Sequence, residues 1–422
     1  MSPLRSRLPS IRPSLARPSL RPLHNLSSST STPKPTTGFV TLEKIEEEKS
    51  PNYHPANFYP VHIGEILASK YQVASKLAYD ASSTTWLCRH LQEKAFFTIK
   101  ICKAGPLPQN ELAISNLLSN ADTSYEARKY ARYIIQSFEI IAPDGTPFCC
   151  LVYPPYGMSY SEFQRKLPGA QIDKEVAQRV IQFVLFSLDF MHYHGVVHTN
   201  VTLNAIRQGI VDYKSLAHIV YNQSKHPSAR KVSDDRNIYF SQPIPFCDGM
   251  PVLSGLGGAR LGRAAGKHSG RTIALGVHSA PEVILDMEWD CKVDIWAVGT
   301  TIWTLINDDD LFPAPKDGIY NEEQHLAELV VIMGPPPVEF LKRSSSTKCE
   351  RYWDEQGNWK GSIPIWDQPL ETRVKRFKGQ DKELLLNLLR KIFRWVPEER
   401  PTAEELVFDE FLMQSVDMEG LK

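Results

Sequence analysis

Between Tyr71 and Tyr153, apolar and polar residues alternate with a period of two, as half-buried strands require. In Phe96–Cys102, Phe97, Ile99 and Ile101 share one face, and Thr98 and Lys100 the other. Tyr71–Leu77 and Thr84–Arg89 predict a hairpin around a small-polar turn, and a short helix is expected near Glu111–Leu118. Tyr133–Ile140 and Phe148–Tyr153 flank Pro143-Asp144-Gly145, where Asp-Gly favours a tight turn. After Pro154-Pro155 the period lengthens. Val176, Val180, Val184, Leu185, Leu188 and Met191 form a helical stripe, with Asp173 at the capping position and Gly195 past the end. Val293–Ile306 is apolar nearly all round, as a helix buried at a domain centre would be. Asp381–Trp395 and Pro401–Phe411 predict further amphipathic helices. No internal repeat is present. Strands followed by helices give an α+β arrangement: a small sheet lobe with one helix, then a large, mostly helical lobe.

The 422 residues suffice for one large two-lobed domain or two ordinary ones. Hydrophobic content of 42% and charged content of 23% suit a globular chain. A formal net charge of zero gives no bulk attraction to nucleic acid, and none is expected as a partner. No apolar run approaches 18 residues, so no membrane span is expected. The seven cysteines contain no C-x-x-C pair, so buried thiols are expected in place of a metal site or disulfide framework.

Charge is unevenly placed. Residues 1–40 hold no acid, while Arg5, Arg7, Arg12, Arg17, Arg21 and Lys34 are basic and serine is abundant. Leu4, Leu8, Ile11 and Leu15 recur at helical spacing. That composition fits a mitochondrial transit peptide. Pro3, Pro9, Pro13 and Pro18 would break the helix such a signal needs, so a disordered basic tail is the alternative. Localisation follows that choice: mitochondrial with an import signal, cytoplasmic or nuclear without one. Glu43–Lys49 then turns acidic, as a linker does. The expected organisation is a disordered segment over 1–50, a small lobe over 51–153, a large lobe over 154–412 and a tail over 413–422.

Four motifs then fall in order: His198-Thr199-Asn200-Val201-Thr202-Leu203-Asn204-Ala205-Ile206, Ala280-Pro281-Glu282, Asp294-Ile295-Trp296-Ala297-Val298-Gly299, and Pro397-Glu398-Glu399-Arg400-Pro401. Their order and spacing resemble those of eukaryotic protein kinases over roughly Tyr59–Leu412. The resemblance implies the bilobal kinase fold, with a hinge near Tyr153–Gly157. Tyr59-Pro60-Val61, His198-Thr199, Leu326-Ala327-Glu328, Gly334-Pro335-Pro336-Pro337, Trp395-Val396-Pro397-Glu398 and Gly357-Asn358-Trp359-Lys360 narrow it to SR-protein kinases, and within them the fungal branch. Those enzymes phosphorylate serine in Arg-Ser-rich proteins, which are the partners the resemblance implies. A monomer is expected.

The resemblance also assigns roles, and most are vacant. Lys100 matches the lysine that holds the α/β-phosphates and Glu111 its helix partner. Asn200 stands where the catalytic Asp takes a hydroxyl proton, and an amide cannot accept one at neutral pH. Ala205 and Gly255, in Gly255-Leu256-Gly257, stand where two magnesium ligands belong. Asn204, one residue early, is expected to point elsewhere, and Asp248 is weighed as a stand-in ligand but read as a turn aspartate. Ala78 and Asp80 replace phosphate-loop glycines; a carboxylate 4 Å from a like charge repels it by roughly 4 kcal/mol at an effective dielectric of 20. Ala78, Asp80, Lys100 and Tyr156 thus outline a degenerate nucleotide site. No metal is expected to bind, and ATP weakly or not at all. Losing the base alone costs ~10²–10⁴ in rate. The reading is a pseudokinase that acts by contact as a binding or scaffold module. The alternative is an atypical serine/threonine kinase acting on Arg-Ser-rich proteins.

Overall fold

The computed structural model describes residues 38–414 apart from 40, 51–52, 107, 122–123, 211–212, 234–235, 246–248, 262–275, 308, 313–314 and 317–318. The basic segment 1–37, Asp248 and most of the 413–422 tail therefore lie outside the described residues.

Alternation builds the small lobe. Strands β1 (Ile66–Leu67), β2 (Tyr71–Asp80), β3 (Ser83–His90), β4 (Phe96–Cys102), β5 (Gln136–Ile141) and β6 (Pro147–Tyr153) form one antiparallel sheet in the order β1-β2-β3-β4-β6-β5. Ile99 and Ile101 bury against Trp86, Cys88, Cys150 and Val152 on the outer face. Lys100 pairs in register with Thr85 and Leu151 and turns to the opposite face. The helix α1 (Gln109–Ser119) packs beside the sheet. β5 begins three residues later than expected because Ile134 donates its N–H to Ser115 Oγ at 2.7 Å, tying that stretch to α1.

Asp173 stands where expected before α2 (Lys174–Tyr193): its carbonyl accepts the Ala177 N–H at 2.9 Å, although its carboxylate makes no cap bond. Val180, Val184, Leu185, Leu188 and Met191 are buried. The helix α3 (Lys214–Lys225) was not expected from the pattern. α4 (Lys292–Asn307) is buried along its length, and Gly299 lets it touch α6 (Gly379–Ile392): a Cβ there would lie 2.6 Å from Ile392 and 2.8 Å from Phe393. α5 (Glu322–Met333) joins the same core. α6 stops at Ile392, short of Trp395, because the Arg394 carbonyl turns to accept two bonds from Arg400. The Pro401–Phe411 stretch divides into Ala403–Val407 and Glu410–Met413 where Asp409 caps the Phe411 N–H at 3.0 Å.

Glu43–Lys49 is not a solvated linker. Glu47 is fully buried and ion-pairs with Lys76 of β2 and with Arg236, while Glu48 holds Lys231 at 2.9 Å. The strand Gly38–Phe39 pairs with Arg230–Val232. The segment between Gln208 and Pro251 thus binds both the N-terminal segment and the small lobe. Among the described residues no helix is long and apolar enough to cross a membrane, and the six described cysteines are free thiols.

Candidate functional site

Charge pairs deep in the large lobe set the geometry of the cleft. Asp294, fully buried at the start of α4, accepts the N–H groups of His198 and Thr199, both at 2.7 Å, and bonds His192 at 2.9 Å. Thr199 takes a positive φ of 67°, an uncommon conformation for a β-branched residue, held by these bonds. Its hydroxyl donates to Gly258 O at 2.8 Å, and His198 Nε2 meets Ser254 O at 3.0 Å. Burial lowers the His198 pKa, favouring the neutral ring that such bonding uses. The loop at His198 and the segment Gly255-Leu256-Gly257 are thereby locked side by side.

The cleft between the lobes is a cavity of about 520 Å³. Ala78, Asp80, Lys100, Glu111 and Asn200 all line it, so five of the expected site residues do converge. Ala205 and Gly255 line it too. Asn204, expected to point elsewhere, also reaches the wall. Tyr156 is the one that does not: its ring lies under the Arg132 guanidinium at 5.2 Å. Lys100 Nζ meets Glu111 Oε2 at 3.0 Å, and Tyr153 donates to Glu111 Oε1 at 2.6 Å. Burial opposes the Lys100 ammonium, but Glu111 and Asp80 outweigh it and the net shift is upward.

Three carboxylates line the cavity, and each is already engaged. Asp80 accepts Ser82 N, Ser82 Oγ and Ser83 Oγ at 2.6, 2.7 and 2.8 Å, closing the β2–β3 turn. Glu111 is shared between Lys100 and Tyr153. Glu162 accepts Ser159 N at 2.7 Å in a capping box and lies 3.6 Å from Arg207. Among the described residues no group of three His, Cys, Asp or Glu could hold a metal.

Arg132, Arg165 and Arg207 also line the cavity, and the sequence reading missed them. Burial lowers the pKa of both Arg132 and Arg207, and Arg207 adds to the strain on Arg132. Arg132 Nε is buried without a hydrogen-bond partner among the described residues. Its guanidinium is met by the rings of Tyr153 at 4.3 Å and Tyr156 at 5.2 Å. Cation–π contacts give about 0.5–2 kcal/mol each, and the residue as a whole is half-buried on the cavity wall. Arg207 had a readable signal: in the strand Ile206–Gln208 it alternates with buried Ile206 and Gln208. Arg132 had none.

The hinge edge of the cleft is occupied by the chain itself. Gln242 N donates to Lys76 O at 2.8 Å and Met158 N to Ile244 O at 3.0 Å. Leu77 and Leu87 bury against Leu216 of α3 and Ile244.

The family model for the protein kinase domain matches residues 264–412. A serine/threonine protein kinase of Aspergillus fumigatus is 35% identical over 388 residues, covering 90% of this chain and 94% of that protein. The chain belongs to the protein kinase family. A serine/threonine-protein kinase SRPK of Physarum polycephalum is 24% identical over 396 residues, covering 85% of this chain and 90% of the relative. A mouse SRSF protein kinase 3 is 26% identical over 181 residues, covering 42% of this chain and 32% of that protein. The crystal structure of another kinase domain superposes with a TM-score of 0.64 at 19% identity, covering 84% of this chain and 99% of that one, which shows the bilobal kinase fold. The matched stretch 264–412 begins after Asn200, Ala205 and Gly255, so the family match rests on the large-lobe scaffold and not on the cleft. In that scaffold Glu282 and Arg400 form the buried, bidentate kinase pair, with both bonds at 2.7 Å.

Proposed function

We propose that this kinase-fold protein is a pseudokinase: it recognises a partner through its surface and cleft and does not transfer phosphate. One observation carries the reading. Asn200, Ala205 and Gly255 stand where the proton acceptor and the metal ligands belong, and Asp80, Glu111 and Glu162 are each held by protein donors. A magnesium ion needs one or two carboxylates beside the phosphates, and a general base must be free to take a proton. ATP binding, if retained at Lys100, would be weak and independent of magnesium. The names of the SRPK and SRSF kinase relatives support Arg-Ser-rich proteins as the partner class.

Two measurements test this. The melting temperature is recorded with ATP, with and without magnesium; a large magnesium-dependent rise would overturn the reading. Phosphorylation of an Arg-Ser peptide is compared with a Lys100→Ala background, and turnover abolished by that change would do the same. That outcome is the second reading, an atypical serine/threonine kinase; the intact Lys100–Glu111 pair at 3.0 Å favours it.

A further inference from the structure

We infer that the cleft floor at Arg132 and Arg207 is a binding site for a small phosphate-bearing molecule, held without a divalent ion. The inference rests on the reading of the cleft as non-catalytic, and it names the ligand class. Four cations line the cavity, Lys100, Arg132, Arg165 and Arg207, against three carboxylates. Glu111 neutralises Lys100, Glu162 stands beside Arg207, and Asp80 is bound into its own turn. Arg132 and Arg165 are left over; Arg165 is exposed and donates to the Ser161 carbonyl, whereas Arg132 lies deeper in the cleft. Among the described residues no carboxylate forms an ion pair with its guanidinium, Nε is buried and unpartnered, and the rings of Tyr153 and Tyr156 lie 4.3 and 5.2 Å from it.

A guanidinium stacked on rings keeps its edge donors for something else, and that fork matches phosphate oxygens. Arg132 and Arg207 line the same cavity and repel one another, so an anion placed between them would relieve that repulsion. The cations approach one cavity from different elements, β4 for Lys100, the segment before β5 for Arg132 and the strand Ile206–Gln208 for Arg207. A tetrahedral oxyanion, with oxygens facing several ways, uses such an arrangement better than a planar carboxylate. Magnesium has no role there, because the carboxylates it would need are engaged. Gln242 and Ile244 bond Lys76 and Met158 beside the cleft, and Arg132 lies over the Tyr156 ring.

The probe is inorganic pyrophosphate, titrated in EDTA into the full chain by calorimetry and followed by melting temperature. Saturable binding is expected, with Arg132→Gln weakening it roughly tenfold or more, the loss of a charge-assisted bidentate contact. Lys100→Ala should weaken it less than Arg132→Gln does. If Arg132→Gln does not fold, Arg132→Lys carries the test: it keeps the charge, loses the fork, and should bind several-fold more weakly at an unchanged melting temperature. No saturation by ~10 mM, full binding by the Arg132 variants, or binding only with magnesium would each overturn the site. Magnesium-dependent turnover of ATP would instead defeat the pseudokinase reading, a separate result from the EDTA titration.

Discussion

Tyr153 donates its hydroxyl to Glu111 Oε1 at 2.6 Å while Lys100 grips Oε2 at 3.0 Å. A buried carboxylate is thus satisfied from two elements, the end of β6 and the middle of β4. Tyr153→Phe leaves Oε1 without its donor. Denaturant unfolding should show a loss of about 1–3 kcal/mol, the cost of an unsatisfied buried acceptor. An unchanged midpoint would mean that the Lys100–Glu111 pair does not depend on Tyr153.

Glu282 and Arg400 are both within 1% of complete burial and share two bonds. Glu282→Gln strands a guanidinium that otherwise packs over Trp296 at 5.0 Å. The expected destabilisation is about 3–5 kcal/mol, visible as a fall in melting temperature. Replacing an exposed pair such as Lys342–Glu339 should cost no more than about 1 kcal/mol.

Glu47 holds Lys76 and Arg236 from outside the expected domain boundary. Glu47→Gln leaves buried Arg236 without its counter-charge and Lys76 with Glu46 alone, at 3.3 Å, with an expected cost of about 3 kcal/mol or more. Limited proteolysis should then release the segment 38–50 faster than in the parent chain. Equal rates would show that the acidic segment does not clasp the small lobe.

Burial pushes the His325 pKa down to about 3, with Tyr320 bonded to its Nδ1 at 2.9 Å. The unfolded ring has a pKa near 6.5, so between about pH 6.5 and 3 the unfolded state binds the extra proton. Stability is therefore present above pH ~6.5 and lost as pH falls, by up to about 1.4 kcal/mol per unit. The lowered pKa values of His198 and His278 add in the same direction. His325→Phe should flatten the fall in melting temperature between pH 6.5 and 5.

The proposed pseudokinase reading predicts that metal ligands can be put back. Asn200→Asp, Ala205→Asn and Gly255→Asp together place oxygens in the cleft. Gly255 has φ +92°, and a Cβ there meets only the Ala205 Cβ, at 3.9 Å. Aspartate tolerates the left-handed region at a cost of about 1–2 kcal/mol. A magnesium-dependent rise in melting temperature with ATP is expected in this variant; indifference to magnesium would show that the cleft no longer has kinase geometry.

By itself the sequence determined the order of lobes, the faces of β4 and α2, and the absence of a carboxylate at Asn200, Ala205 and Gly255, because periodicity and motif spacing are local properties. Tertiary structure alone brought Arg132 into the cleft beside the residues the motifs had named. Arg132 sits 75 residues before Arg207 (207 − 132) in a segment without a pattern, and only the packing of that segment against Pro251–Leu253 aims it inward. Glu47 read as linker because a charge run is usually solvated; its burial depends on Lys76 and on Arg236, 189 residues away. Long-range pairing of charges leaves no trace in local periodicity, since the stabilising partner is supplied by the fold and not by the neighbouring residue.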